Sequence, residues 1–146
     1  MSKHVKDVMS ADPVCCTPQT SLSDIARMMA EHDCGEIPVV ASTSERRPVG
    51  VITDRDIVIR TLAKNINPMQ ATANDCMTKP VVSVTPECAL DECCDLMEQH
   101  QIRRVPVVDD KGMLIGIVAQ ADIALAGGRS AISEMVKEVS RPSQAH

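Results

Sequence analysis

Phenylalanine, tyrosine and tryptophan are all absent from the 146 residues. Without these rings the usual stacking platforms for bases are missing, which argues against single-stranded nucleic acid as a partner. Leu, Ile, Val and the nine Met must therefore fill the interior. Positive charge is also scarce: 15 Lys and Arg stand against 20 Asp and Glu, a formal net charge of -5. This balance opposes broad contact with a phosphate backbone but is compatible with a local basic site. Long apolar runs are missing too. No stretch approaches the roughly 18 apolar residues of a membrane span, and the opening "MSKHVKDVMS" has no apolar signal core, so no membrane partner and a cytoplasmic location are expected. No Walker loop, Ser-His-Asp elbow or recognisable pair of catalytic carboxylates occurs, so the reading is not of an enzyme.

What remains is ordinary for a folded protein, with 44% hydrophobic and 24% charged residues. The length suits one core or two small units sharing an interface. An internal repeat decides between them. "DVMS" matches "DCMT", "TPQTSL" matches "TPECAL" and "EIPVV" matches "RVPVV", with Asp7 and Asp75, Thr17 and Thr85, and Pro38 and Pro106 each 68 residues apart. "GVITDRDI" and "GIVAQADI" follow at a separation of 66, because the preceding loop is two residues longer in the first copy.

Each copy reads as a short helical turn ending in Met, a brief strand ("PVCC" or "PVVSV"), a Thr-Pro that starts an amphipathic helix, two apolar strands and a second helix. Leu22, Ile25, Ala26 and Met29, and likewise Leu90, Cys93, Cys94 and Met97, follow i, i+3, i+4, i+7 spacing. The second helix begins near Asp54 or Gln120. About 60 residues per copy are too few to cover both faces of a sheet, so the copies are expected to pack on each other. The boundaries are 1–64 for the first repeat, 65–72 for a connector, 73–127 for the second repeat and 128–146 for a further helix and tail.

The paired motifs "IPVV...GVITDRDI" and "VPVV...GIVAQADI" resemble a tandem cystathionine-beta-synthase (CBS) domain pair, the Bateman module, over residues 4 to about 127. The small stand-alone bacterial proteins made of one such pair are the nearest resemblance. It implies an α/β (α+β) fold of two pseudo-two-fold-related repeats, each a small three-stranded sheet with two helices. It further implies two clefts between the copies that bind AMP, ADP, ATP, NAD or S-adenosylmethionine, and a homodimer forming a flat four-repeat disk. The function implied is regulatory: a non-catalytic sensor that changes dimer geometry or the binding of an unidentified protein target.

Within that family frame, Asp56 can accept hydrogen bonds from a ribose diol, while the Thr53 hydroxyl and the N–H groups of the helix start suit a phosphate. Helix capping by the same two residues is the competing reading. The resemblance places Arg103 and Arg104 on the phosphates of this first site, with Val82 backbone and the Val51 side chain around the adenine. Solvated surface arginines are the alternative. The second site would use Asp122, Ile117, the strand from Val14 to Cys16, and Arg55 as a compensating charge. Ala119 replaces the hydroxyl there, and Gly35 and Glu36 replace the arginines, so the first site should take a phosphorylated adenosine and the second be weak, empty or fitted to a less anionic ligand.

Seven cysteines raise a redox- or metal-responsive alternative. Cys16, Cys34, Cys76, Cys93 and Cys94 stand opposite Val84, Ile102, Val8, Ile25 and Ala26 in the sister copy, which favours buried small hydrophobes. Only Cys15 and Cys88 face polar counterparts, Ser83 and Thr20. No C-x-x-C or H-x-x-x-H spacing occurs, so no metal ligand is assigned. His4 and His146 are scattered, whereas His32 and His100 are equivalent and are expected to end their helices.

Overall fold

The repeated stretches fold alike in the computed structural model, which describes residues 4–79 and 81–126. The helix and tail expected over 128–146, with His146, lie outside the described residues. In chain order come β1 (Ser10–Ala11), α1 (Leu22–His32), β2 (Glu36–Val40), β3 (Pro48–Thr53), α2 (Asp54–Arg60), α3 (Ala73–Cys76), α4 (Leu90–His100), β4 (Arg104–Val108), β5 (Leu114–Ala119) and α5 (Gln120–Leu125). Short 3-10 turns cover Val5–Asp7, Leu62–Lys64 and Pro68–Gln70. No helix among the described residues is long and apolar enough to cross a membrane.

The brief strand expected ahead of each long helix shrinks to one bridging residue. Cys16 pairs in parallel with Val39, and Val84 pairs in parallel with Val107. Each makes the same two bonds: Cys16 N–H to Pro38 C=O (3.0 Å) and Val40 N–H to Cys16 C=O (2.8 Å), then Val84 N–H to Pro106 C=O (3.0 Å) and Val108 N–H to Val84 C=O (2.9 Å). Pro18 and Pro86 lack an N–H two residues on, and the chain turns instead through Thr20 N–H to Thr17 C=O and Cys88 N–H to Thr85 C=O. The helices consequently start at Leu22 and Leu90, four residues beyond each proline, rather than at the Thr-Pro itself. Ser21 caps α1 by accepting the Asp24 N–H at 3.1 Å. His32 and His100 do end α1 and α4, followed by left-handed residues Asp33 and Gln101.

Two compact units divide the described chain, and they are not simply the two sequence copies. One gathers residues 4–13, 82–111 and 115–126; the other gathers 14–79, Val81 and 112–114. The segment leading into the first copy thus belongs with the second copy's sheet, and the reverse also holds. β1 pairs antiparallel with β5 through Ser10–Ile117 and Ala11–Gly116. Thr78 pairs at the same place on β3, exchanging both backbone bonds with Val51 at 3.1 and 2.8 Å. Behind these pairs the 3-10 turn and α3 dock identically: Val5 N–H to Cys88 C=O and Lys6 N–H to Pro86 C=O match Ala73 N–H to Thr20 C=O and Asn74 N–H to Pro18 C=O.

Sheet order in the first unit is β1-β5-β4, and in the second β2 pairs antiparallel with β3. Pro38 lies opposite Val51 in that register. Because Val51 spends both backbone groups on Thr78, the proline's missing N–H takes nothing from the β2–β3 ladder. The cores follow the repeat: Leu22, Ile25, Met29, Ile37, Val39 and Ile52 in one unit, Leu90, Cys93, Met97, Val105, Val107 and Val118 in the other. Ala26 departs from the expected stripe and is exposed, whereas its counterpart Cys94 is buried.

The persistence of glycine in both strand motifs has a steric cause. A Cβ on Gly50 would lie 2.9 Å from the Thr78 carbonyl oxygen and 3.0 Å from Met77 Sδ; one on Gly116 would lie 2.8 Å from Met9 Sδ and 3.0 Å from the Ser10 carbonyl oxygen. The crossing leading segment leaves no room for a side chain. Gly50→Ala and Gly116→Ala are each expected to lower unfolding free energy by about 1–3 kcal/mol, measured by urea denaturation. An unchanged midpoint would show that the segment does not press on the strand.

Candidate functional site

In both repeats a strand runs without a break into a short helix, and the residue at the joint is the helix N-cap. Burial alternates along the strands. Gly50 and Ile52, like Gly116 and Val118, are buried, leaving Val51 and Thr53, and Ile117 and Ala119, on the opposite half-buried face. The candidate ligand-facing residues of each strand therefore share one side.

Thr53 and Asp56 form a capping box: Asp56 N–H donates to Thr53 Oγ1 at 3.0 Å, and Thr53 N–H donates to Asp56 Oδ2 at 3.1 Å. The capping reading of these residues is thus realised. Asp56 is only 8% exposed. Two further groups reach its carboxylate. The Thr78 hydroxyl lies 3.3 Å from each carboxylate oxygen, and Arg60 Nε lies 3.7 Å from Oδ1. Arg60 also donates from Nη2 to Thr78 Oγ1 at 3.5 Å. Arg60 follows from i,i+4 helical spacing. Thr78 does not, since it arrives with the leading segment of the other repeat.

The equivalent joint in the other unit is barer. Ala119 N–H donates to Asp122 Oδ2 at 3.0 Å, but Ala119 has no hydroxyl to return the bond. Ala126 stands in the place of Arg60, and exposed Ser10 in that of Thr78. Half-buried Asp122 lines an open recess of about 290 Å³ with Val8, Leu125 and Ala126.

Arg103 and Arg104 enter β4 in this same unit. The Arg103 carbonyl accepts the Gln120 N–H at 2.9 Å, which ties the start of β4 to the start of α5. Gly35 C=O accepts Asp54 N–H at 3.0 Å in the corresponding place. Among the described residues neither guanidinium has a hydrogen-bond or ion-pair partner. The first predicted set divides between the units, with Val51, Thr53 and Asp56 in one and half-buried Val82, exposed Arg103 and half-buried Arg104 in the other. The second set divides likewise: Val14, buried Cys16 and exposed Arg55 lie in one unit, Ile117 and Asp122 in the other.

A family model for the CBS domain matches residues 5–62 and again 73–128. The chain belongs to the CBS-domain family, with two copies in tandem, as the repeated motifs predict. It is 37% identical to Hypoxic response protein 1 of Mycobacterium tuberculosis over 137 residues, 94% of each chain. Among solved structures it resembles Hypoxic Response Protein I with two coordinated zinc ions (TM-score 0.76, 38% identity, 84% of this chain and 97% of that one). It also resembles the CBS pair of MJ0100 in complex with 5-methylthioadenosine and S-adenosyl-L-methionine (TM-score 0.73, 31% identity, 86% of this chain and 97% of that one). CBSX2 in complex with AMP matches at TM-score 0.73 and 27% identity, over 88% of this chain and 98% of that one.

Four of the five cysteines expected to be buried are so; Cys34 is the exception. Cys16, Cys76, Cys93 and Cys94 are buried, while Cys15, Cys34 and Cys88 are half-buried, and none is in a disulfide among the described residues. Burial, reinforced by neighbouring thiols, pushes Cys16 and Cys93 up to about 12; burial and nearby carboxylates push Cys94 up to about 11. Thiols held protonated are poor nucleophiles. Above pH 9 the unfolded chain loses these protons while the folded chain keeps them, so the folded state loses stability as pH rises from about 9 towards 12. The expected slope is at most about 1.4 kcal/mol per pH unit per thiol. Urea midpoints at pH 8 and pH 10.5 should show the fall. Cys16→Val with Cys93→Ile, the residues of the sister copy, should flatten it; an equal fall in that variant would place the cause elsewhere.

Proposed function

We propose that this CBS pair is a non-catalytic sensor of an adenosine-containing ligand, with AMP, ADP or ATP favoured and NAD or S-adenosylmethionine as the alternatives within the class. The observation that carries the reading is the repeated joint: in both units a carboxylate, Asp56 or Asp122, sits in the first turn of a helix that continues an apolar strand. Such a carboxylate suits a ribose diol, and the strand face beside it, with Val51 or Ile117, suits the flat base without aromatic help. The unpaired guanidinium groups of Arg103 and Arg104 suit phosphate. The AMP complex of CBSX2 and the nucleoside complexes of MJ0100 support this assignment. Val82, Val14, Cys16, Thr53 and Arg55 complete the proposed contacts, with the two aspartates serving unequal sites.

The protein acts in the cytoplasm as a homodimer, and the ligand biases its binding of a protein target. Support for self-association comes from the run of exposed apolar residues on α2 and the turns after it: Val58, Ile59, Leu62 (61% exposed), Ile66 and Met69 (68% exposed). Such a patch marks an interaction surface. A redox or metal role ranks second. It draws support from the zinc ions of Hypoxic Response Protein I, while the described residues hold no group of three or more His, Cys, Asp or Glu placed for a metal.

A dye-based thermal-shift panel is the first test, since no Trp is present. A nucleotide at 100 times its Kd should stabilise the fold by about 2.7 kcal/mol. Asp122→Asn should lose one class of site. Arg103→Ala with Arg104→Ala should weaken AMP about tenfold or more while sparing adenosine. No shift with any of the five ligands would overturn the sensor reading. For the dimer, light scattering should give twice the 15.8 kDa of one chain, and Leu62→Glu with Met69→Glu should halve that mass. A monomeric wild type would refute the pairing.

A further inference from the structure

The two aspartates differ in what holds them. Asp122 receives one backbone N–H and opens on a recess, with no second partner among the described residues. Asp56 receives the Thr53 N–H, the Thr78 hydroxyl and the approach of Arg60, and is buried. Thr78 is held in place by two bonds from its own backbone to Val51 and by the absence of a side chain at Gly50. Its hydroxyl sits equally far from both carboxylate oxygens, across the edge that a diol would approach.

We propose that Thr78, backed by Arg60, is a latch on Asp56: a ligand reaches that carboxylate only by displacing the Thr78 hydroxyl. The ligand half of this statement rests on the adenosine reading above; the latch itself does not. Both hydroxyls compete for the same acceptor edge. With the Thr78 hydroxyl 3.3 Å from both oxygens of a buried carboxylate, a diol that bridges those oxygens must take its place. Thr78 belongs to the segment leading into the second repeat, so that segment supplies the group that covers Asp56. A ligand that needs Asp56 shifts the population towards the state with the Thr78 hydroxyl turned away, by no more than its preference for that state. Among the described residues the other unit has no such device, since Ser10 is exposed and Ala126 replaces Arg60.

Two measurements test the latch. Thermal melts of Thr78→Val, Asp56→Asn and the double variant, without ligand, form a cycle. The drop in Tm caused by Thr78→Val should disappear in the Asp56→Asn background, and Thr78→Ser, which keeps the hydroxyl, should melt like wild type. Additive drops would overturn the latch. Calorimetric titration with AMP should then show the phase that is lost in Asp56→Asn tightened about tenfold by Thr78→Val, with the phase lost in Asp122→Asn unchanged. Weakened or unaltered binding at the Asp56-dependent phase would mean that Thr78 positions the carboxylate rather than guards it, and would also overturn the proposal. If wild type binds no AMP, the adenosine reading fails, and the melting cycle decides the latch.

Discussion

At Gly50 the carbonyl oxygen of Thr78 occupies the space that the first carbon of any side chain would need, and Gly116 meets Met9 and Ser10 in the same way. That close passage of backbone over backbone fixes the rest of each unit. It lets the leading segment reach the strand, so Thr78 and Val51 can exchange both backbone bonds. It also closes the strand's outer flank, which would otherwise present unpaired N–H and C=O groups. With Val51 committed on that flank, Pro38 can sit opposite it without loss, and its carbonyl is left to receive Cys16. The place of the proline and the position of Thr78 beside Asp56 go with the missing side chain at Gly50, as the pairing of β1 with β5 goes with that at Gly116.

The strand-to-helix joint is where the two repeats part company. The Asp56 carboxylate is met by the Thr53 N–H, the Thr78 hydroxyl and Arg60, all of its own unit, and the capping box there is complete. At Asp122 only half a box remains, because Ala119 lacks the hydroxyl. The fold tolerates that loss, since an N-cap contributes about 1 kcal/mol and the apolar core around Val118 and Ile123 is intact. The same backbone frame thus carries one enclosed carboxylate and one that is accessible.

Much of this was legible in the residues. The repeat offset located both halves, and apolar spacing located α1, α4 and the buried positions of Leu22, Ile25, Met29, Leu90, Cys93 and Met97. The strand motifs placed Thr53 and Asp56, and their echo, at the joints. Comparison between copies located Cys16, Cys76 and Cys93, because a thiol facing Val or Ile in its sister copy is under the same packing demand, but it did not separate Cys34, opposite Ile102, from half-buried Cys15 and Cys88. What stayed hidden depends on contacts distant in sequence. Nothing local in "DCMT" says that Thr78 will lie over Gly50. Periodicity also could not tell Ala26 from Cys94, since a small residue at the margin of an apolar stripe can face either way.

The leading segments carry a consequence for ancestry. Residues 4–11 complete the sheet of the second repeat, and residues 73–78 that of the first. A single ancestral repeat could not have covered its own glycine with a segment placed ahead of it in this arrangement; it needed the segment of another copy. The tandem chain therefore has the form of a swapped dimer whose partners became joined by a linker. Each repeat thus carries the edge that the other's sheet uses.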